Sequence, residues 1–242
     1  EFNAQTLIVA IQSPDNIKMQ AVVDEAMKLK MTIQKVPNPK TWINGAFSSK
    51  QLKKIRIEDL LGRDVIELNN DQLSNEISNS CILVSGAAGS IGSGLVQEIA
   101  RLVPKKIILL DQAESPLYDL QFELNQHFNG LNYEIVVGDI CNLERMQHLF
   151  QQYAPDIVFH AAAYKHVPMM EDNPSESILT NVLGTKNMAD LSSLFHVEKF
   201  VMISTDKAVN PTNVMGASKR IAEIYIQCLG TTSATKFITT RF

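Results

Sequence analysis

Short apolar runs alternate with longer amphipathic stretches along the chain, most regularly from residue 79 onward. Short runs rich in Ile, Leu and Val are typical of buried strands, and stretches with apolar residues every three or four positions are typical of helices. The predicted strands are residues 81–85, 106–110, 133–137, 157–160, 200–204 and 236–240, and the predicted helices are residues 90–103, 115–128, 142–153, 174–195 and 213–229. For residues 79–242 this alternation predicts an α/β fold with a doubly wound parallel sheet.

The beginning of the chain is organised differently. Residues 7–11 and 32–36 are short runs that predict strands, and residues 14–30 between them predict a helix. A single βαβ unit is too small to bury a core alone, so residues 1–45 are predicted to be the remnant of a preceding α/β domain plus a linker. Residues 46–78 lack a strong period and predict a connector.

Composition excludes several classes of protein. The formal net charge is −4, so the chain lacks the basic footprint of a nucleic-acid-binding protein. No apolar run approaches the roughly 20 residues of a membrane-spanning helix, and no signal peptide is visible. The three cysteines (Cys81, Cys141 and Cys228) show no metal-ligand spacing. They predict reduced thiols in the cytosol, and no metal site is predicted.

A glycine-rich turn follows the strand at residues 81–85. Gly86 permits a tight turn, Gly89 lets the backbone approach a pyrophosphate, and Gly92 lets helix and strand pack closely. Asp111 ends the next strand, where its carboxylate is placed to bind a ribose hydroxyl and to repel a 2′-phosphate, which favours NAD over NADP. The alternative is a purely structural turn. The residues predicted to hold NAD here are Gly86, Ala88, Gly89, Ser90, Ile91, Gly92 and Asp111.

Residues that follow the third and fourth strands fall at the same predicted edge of the sheet. Asp139 and Ile140 fit a contact with adenine, although Asp139 equally fits a solvated loop. Small residues from Ala161 onward let a cofactor lie against the backbone, and His160 before them is more typical of a satisfied core histidine. Two further polar residues, Lys165 and Asn181, fit either a functional or a surface role.

Titratable groups cluster at residues 204–219, after the fifth strand. Asp206 and Lys207 place a carboxyl beside an amine, which can serve as an acid and base pair. Met215 and Lys219 share one face of a helix because they are four residues apart. In many nicotinamide enzymes of this layout a Tyr stands four residues before the Lys. Met cannot transfer a proton, so a helix whose Met and Lys have no catalytic role is a serious alternative. A Lys near a cationic nicotinamide and a second Lys would have a lowered pKa.

Four motifs together resemble one superfamily. They are GAAGSIG at residues 86–92, HAAAYKHVPMMEDNP at 160–174, NVLGT at 181–185 and STDKAVNPTNVMGASKR at 204–220. These segments are similar to the extended short-chain dehydrogenase/reductase superfamily, and within it to the nucleotide-sugar 4,6-dehydratases of bacterial polysaccharide and glycan biosynthesis. They most resemble the membrane-anchored UDP-N-acetylglucosamine 4,6-dehydratases, in which Met replaces Tyr. The resemblance covers about residues 55–242 and implies a Rossmann fold.

This resemblance implies a reaction in which NAD⁺ takes hydride from C4 of the sugar, water leaves across C5 and C6, and hydride returns to C6. Asp206 would protonate the departing C6 hydroxyl, Lys207 would remove the C5 proton, and Thr205 would bind the C4 hydroxyl. Lys219 would bind the nicotinamide ribose. With Met215 in place of Tyr the base at C4 is not assigned by sequence, and Asp206, acting directly or through Thr205 or water, is the hypothesis adopted.

The same resemblance implies further contacts and surroundings. Lys165 would contact the cofactor, Ala161 and Ser204 would contact the UDP-sugar substrate, and Asn181 is a further substrate candidate. The parent protein would be a homo-oligomer anchored to the bacterial inner membrane by upstream helices, with its catalytic domain in the cytoplasm. In this family a further segment after Phe242 closes over the nucleotide, so a fragment without that segment is expected to bind NAD without turning over.

Two other functions stay open. A nucleotide-sugar 4-epimerase would share the NAD site, but it would be expected to have Tyr at position 215 and to need no Asp206–Lys207 pair. A non-catalytic NAD-binding module would keep the glycine turn, tolerate Met215 and show no turnover of any UDP-sugar.

Overall fold

The computed structural model describes residues 4–10, 22–23, 25–26, 28–29, 31–36, 53–54 and 70–242. The chain divides into two compact units, Glu1–Glu67 and Leu68–Phe242. The second unit begins ahead of residue 79, where the sequence predicts the main domain to start. The reason is helix α1 (Asn70–Ile77), which precedes the first strand of this unit and buries Ile77 in its core.

The first unit contains a small sheet. Its strands are β1 (Thr6–Val9), β2 (Thr32–Lys35) and β3 (Lys53–Lys54). β1 and β2 are parallel, as a βαβ unit requires, and β3 pairs antiparallel with β2. β3 lies in the region predicted as a connector. The sequence does not predict this strand, because its two lysines carry no apolar signal. The start of the helix predicted at 14–30 falls outside the described residues, and helical residues are described between 22 and 28.

The second unit is built on a six-stranded sheet. Its strands are β4 (Cys81–Ser85), β5 (Lys106–Asp111), β6 (Tyr133–Val137), β7 (Ile157–His160), β8 (Lys199–Ser204) and β9 (Lys236–Arg241). The spatial order is β6-β5-β4-β7-β8-β9, and every neighbouring pair is parallel. This is the doubly wound Rossmann order, so the predicted fold class is confirmed.

Helices cover both faces of this sheet. After α1 they are α2 (Ser90–Arg101), α3 (Glu114–His127), α4 (Leu143–Tyr153), α5 (Val167–Asp172), α6 (Pro174–Ser177), α7 (Thr185–Leu194) and α8 (Val214–Gly230). Strand β4 shows why two layers form, since successive side chains point to opposite faces. Ile82 and Val84 pack with α2 and α3, whereas Leu83 packs with α4, α7 and α8.

The helix predicted at residues 174–195 is interrupted. Between α6 and α7 the structure has a π-helix at Ile178–Gly184. The sequence carries no signal for this wider turn, because π-helical hydrogen bonding depends on contacts with other elements. The short helix α5 falls in a segment predicted as a loop, and it begins beside Pro168 at its first turn.

None of the helices in the described part of the chain combines the length and the apolar character needed to cross a bilayer.

Candidate active site at the carboxyl edge of the sheet

The strand order reverses between β4 and β7, and ligands of open α/β sheets bind at such a crevice. Two pockets lie there, at the carboxyl ends of the strands. The first, the glycine-turn pocket, has a volume of about 220 Å³ and is lined by Gly86, Asp111 and Asp139 among others. The second, the lysine pocket, has a volume of about 240 Å³ and is lined by Lys207 and Lys219 among others.

The glycine turn brings three stretches of backbone into close contact. Gly86 has a φ of +71°, and a Cβ there would lie 2.5 Å from the backbone nitrogen of Ala162. A Cβ on Gly92 would collide with the carbonyl oxygen of Gly86. Helix α2 begins after Gly89, which lines the glycine-turn pocket, and no side chain caps its first N–H groups. The turn therefore has the open backbone that a pyrophosphate needs.

Asp111 and Asp139 lie at the ends of neighbouring strands and both line the glycine-turn pocket. The Asp111 carboxylate accepts hydrogen bonds from the backbone N–H groups of Ala88 and Ala113, each at 3.0 Å. The Asp139 carboxylate accepts a hydrogen bond from the backbone N–H of Cys141 at 2.8 Å. Asp111 thus fixes both its own loop and the glycine turn, and Asp139 fixes its own loop, while both residues line the pocket.

The other residues predicted to hold NAD divide between the two pockets. Ile140 lines the glycine-turn pocket and packs against Gly184 of the π-helix. Ala161 lines both pockets, and Ile91 lines the lysine pocket. The Nζ of Lys165 lies 3.4 Å from the hydroxyl of Ser90 at the start of α2.

Lys219 projects from α8 into the lysine pocket, on the same side as Met215. Its side chain is buried, and its Nζ donates a hydrogen bond to the carbonyl oxygen of Ile203 at 2.8 Å. Burial lowers the pKa of Lys219 to about 8, against the opposing effect of the Glu223 carboxylate.

Ser204 at the end of β8 also lines the lysine pocket. Its hydroxyl is buried and makes no standard hydrogen bond within the described part of the chain, although it lies near enough to the Glu223 carboxylate to help lower the pKa of that group. Because this oxygen is covered by protein atoms, the role expected for Ser204 as a substrate contact stays a prediction.

The turn after β8 holds the predicted acid and base pair. The Nζ of Lys207 donates to the Asp206 carboxylate at 3.1 Å, and the hydroxyl of Thr205 donates to the same oxygen at 3.0 Å. The hydrogen bond from Lys207, followed by that from Thr205, lowers the pKa of Asp206. Thr205 and Lys207 line the lysine pocket, whereas Asp206 stands at its margin with an exposed side chain.

Asn181 is not at the surface of either pocket, contrary to a role as a direct substrate contact. It has no exposed surface, and its amide bonds both the N–H and the carbonyl oxygen of Tyr164, at 2.9 Å and 3.1 Å. It also donates to the hydroxyl groups of Ser177 and Ser218. Asn181 therefore shapes the loop after β7 from beneath.

His160 is a satisfied core histidine, as the sequence favours. Its ring nitrogens lie 2.7 Å from the hydroxyl of Ser85 and 2.9 Å from that of Thr185. Burial, with a smaller effect of the Lys219 charge, lowers the pKa of His160 to about 3. The imidazole is neutral at physiological pH. Among the described residues, no group of three His, Cys, Asp or Glu side chains is placed to hold a metal ion.

The chain was compared with known protein families and with known proteins. The family model described as Polysaccharide biosynthesis protein matches residues 82–242. The chain belongs to this family. The capsular polysaccharide biosynthesis protein CapD of Staphylococcus aureus is 42% identical over 244 residues, which cover 100% of this chain and 41% of CapD. The chain thus spans less than half the length of this relative.

Two further relatives carry enzymatic names. A UDP-N-acetylglucosamine 4,6-dehydratase (inverting) of Campylobacter jejuni is 34% identical over 165 residues, which cover 66% of this chain and 48% of that protein. A UDP-glucose 4-epimerase of Rickettsia bellii is 33% identical over 146 residues, which cover 59% of this chain and 41% of that protein. The relatives of this chain thus include a nucleotide-sugar dehydratase and a nucleotide-sugar epimerase.

Solved structures agree with the fold. The X-ray structure of Pen from Bacillus thuringiensis has a TM-score of 0.64 at 32% identity and covers 69% of this chain and 52% of that chain. A UDP-glucose 4-epimerase from Brucella ovis in complex with NAD has a TM-score of 0.57 at 23% identity, covering 66% and 51%. The predicted membership of the extended short-chain dehydrogenase/reductase superfamily is confirmed.

Several residues at or near the two pockets were not predicted from the sequence. Tyr164 lines both pockets, and its position directly after Ala161–Ala163 is the signal that marks it. A Cβ on Gly216 would collide with the carbonyl oxygen of Lys207, so this glycine lets α8 pack against the turn. The ion pair between Glu223 and Arg241 has no signal, because its partners are far apart in sequence.

Proposed function

We propose that the chain is the catalytic part of an NAD-dependent nucleotide-sugar 4,6-dehydratase that acts on UDP-N-acetylglucosamine. The observation that carries this proposal is the Thr205–Lys207 turn in the wall of the lysine pocket, beside the glycine-turn pocket. An adjacent carboxylate and amine are the two groups that elimination of water needs. Met215 occupies the position from which a tyrosine would act in an enzyme that only oxidises and reduces C4.

The glycine-turn pocket fits the cofactor. Gly86 keeps the turn tight against the backbone of Ala162, which a Cβ would meet at 2.5 Å, and the start of α2 offers backbone N–H groups to phosphates. Asp111 would bind a ribose hydroxyl, Asp139 and Ile140 would lie near adenine, and Lys219 would bind the nicotinamide ribose. When bound, NAD⁺ supplies the hydride acceptor and later the hydride donor.

The lysine pocket fits the sugar. Ser204 and Thr205 both line its wall. Ala161 leaves room at the boundary between the two pockets, so the C4 hydroxyl would lie between Thr205 and the cofactor site. In this arrangement the substrate carbons face the Thr205–Lys207 turn.

Protons follow the hydrogen bonds of this turn. Thr205 donates to the Asp206 carboxylate at 3.0 Å, so the C4 proton passes through the Thr205 hydroxyl to Asp206. The acid form of Asp206 then protonates the departing C6 hydroxyl, which leaves as water. One carboxyl group is thus first the base at C4 and then the acid at C6. This assignment supplies the role that Met215 cannot perform.

Lys207 acts at C5. In the structure its ammonium group is paired with the Asp206 carboxylate, at 3.1 Å. Protonation of Asp206 removes that negative charge, and the half-exposed Lys207 then releases a proton to solvent. The neutral amine takes the C5 proton as the C6 hydroxyl leaves. The elimination therefore ends with the same ion pair of Asp206 and Lys207 with which it began.

The test is incubation of the full-length protein with UDP-N-acetylglucosamine and NAD⁺, followed by mass spectrometry of the sugar nucleotide. A product lighter by one water is expected. Lys207→Met is expected to abolish this product while NAD⁺ still binds, and Lys236→Met, an exposed lysine at the other end of β9, is the matched control. A wild type that binds NAD⁺ but turns over no UDP-sugar contradicts the proposal and supports a non-catalytic module.

A 4-epimerase is the second candidate, because the Rickettsia bellii relative carries that name. Met215 argues against an epimerase, because a methionine side chain cannot exchange a proton with the C4 hydroxyl. In the same experiment an epimerase would give a product of unchanged mass. Separation of the epimers by chromatography distinguishes that outcome from unreacted substrate.

A further inference from the structure

Glu223 is a fully buried carboxylate that lines neither pocket. It lies on α8 one turn after Lys219. Arg241 donates to both of its oxygens, from Nε at 2.9 Å and from Nη2 at 2.6 Å, and Arg220 donates from Nη1 at 3.1 Å. Burial raises the pKa of Glu223, but the donor groups of Arg241, Ser204 and Arg220 outweigh it and lower the pKa to about 2. A two-point contact of this kind holds both side chains in one geometry.

Arg241 extends this contact to the active site. It is the last residue of β9 and pairs with Ser204 of β8 in the sheet. The next residue, Phe242, lines the lysine pocket and accepts a hydrogen bond at its carbonyl oxygen from the N–H of Asp206 at 3.0 Å. The ion pair therefore connects the helix that carries Lys219 to the turn that carries Asp206.

Stability alone is a weak reason for such a pair. Burying the Glu223 carboxylate beside the partly exposed Arg241 costs desolvation energy, and an apolar pair of similar volume is often equally stable. We infer that Glu223 is a positioning residue, which acts through Arg241 and Phe242 to hold the Asp206–Lys207 turn against the substrate carbons. This inference rests on the dehydratase function proposed above.

The physical connection is tested without any activity. Hydrogen–deuterium exchange is measured in the full-length protein for the wild type, Glu223→Gln and the double variant Glu223→Met/Arg241→Met. Exchange at the Asp206 amide is expected to accelerate roughly tenfold or more in both variants, because the acceptor on Phe242 is no longer held. The amides of β4 are the internal control and keep their protection. Unchanged exchange across residues 204–208 overturns the inference.

The kinetic test separates positioning from stability. The double variant loses both charges, so its melting temperature is expected to stay close to that of the wild type. Its kcat is expected to fall roughly 100-fold, while KM and the Kd for NAD⁺ change by less than about threefold. The matched control is Lys106→Met/Glu134→Met, which removes an ion pair at the opposite end of the sheet. A double variant with the kcat of the wild type overturns the inference.

The outcomes for the two proposals can be told apart. If the wild type forms no dehydrated product, the proposed function fails and the exchange experiment alone decides the role of Glu223. If the wild type removes water from UDP-N-acetylglucosamine and the Glu223 variants exchange and react normally, only the inference about Glu223 fails.

Discussion

The carboxylate of Asp111 accepts a hydrogen bond from the backbone N–H of Ala88 at 3.0 Å. This bond ties the end of β5 to the glycine turn that follows β4. One side chain therefore fixes the shape of the turn and also faces the pocket in which the cofactor ribose is proposed to lie. In the proposed arrangement this carboxylate couples the geometry of the turn to the choice of cofactor.

Replacement of Asp111 by Asn tests this coupling. The amide keeps one acceptor oxygen but loses the negative charge, so the Kd for NAD⁺ is expected to rise roughly tenfold or more. The Kd for NADP⁺ is expected to rise less, because repulsion of its 2′-phosphate is removed. Isothermal titration with both nucleotides measures the two values, and Asp119→Asn on the exposed side of α3 is the control. Equal losses for NAD⁺ and NADP⁺ would show that Asp111 does not select between them.

A methyl group on Gly86 is expected to close the cofactor site. In Gly86→Ala the φ of +71° becomes strained and the new Cβ meets the backbone of Ala162, so affinity for NAD⁺ should fall by roughly tenfold or more. Gly94→Ala is the matched control, because a Cβ there meets nothing within 4 Å. Binding titrations measure the effect. A Gly86→Ala protein that binds NAD⁺ as tightly as the control would contradict the proposed site.

The burial of His160 is expected to make the free energy of unfolding fall at acidic pH. Its pKa is lowered from 6.5 to about 3, so its contribution to the free energy of unfolding is present above pH 6.5 and is lost as pH falls towards 3. In His160→Gln this loss is absent, and the wild type should lose about 3 kcal/mol more than the variant between pH 7 and about pH 4. Urea unfolding at each pH measures the difference. His148→Gln, an exposed histidine on α4, should unfold with the pH profile of the wild type.

Removal of the Asn181 amide is expected to weaken the fold around the site. Asn181→Ala leaves the N–H and the carbonyl oxygen of Tyr164 without partners, and the free energy of unfolding should fall by about 2–4 kcal/mol. Denaturant unfolding measures this loss, and Asn129→Ala at an exposed loop is the control. A loss no larger than that of the control would mean that the Tyr164 backbone finds other partners.

The sheet and the glycine turn could be predicted because their signals are local. The four inner strands of the main sheet, β4, β5, β7 and β8, are runs of mostly apolar residues, as is typical of parallel strands buried on both faces. The roles expected of Gly86 and Gly92 follow from backbone sterics. In the structure a Cβ at either position would collide with neighbouring backbone, in agreement with these roles. Lys219 and Met215 share a face because helix geometry alone places them there.

The remaining features depend on contacts between distant segments. The burial of Asn181 follows from its bonds to Tyr164 and Ser218, which no periodicity reveals. Glu223 and Arg241 meet because β9 lies beside β8, and their spacing in sequence carries no record of it. The burial of the Ser204 hydroxyl without a standard hydrogen bond among the described residues likewise depends on tertiary packing, which the sequence does not reveal.

The π-helix at Ile178–Gly184 has a consequence for the evolution of this site. In an α-helix each residue advances about 100° around the axis, so deleting one residue here would turn the preceding residues by that angle relative to α7. The bonds between Asn181 and the Tyr164 backbone depend on the present count of residues. Insertions and deletions should therefore be excluded from this segment in functional descendants, even where point substitutions at its exposed Leu179 and Leu183 are tolerated.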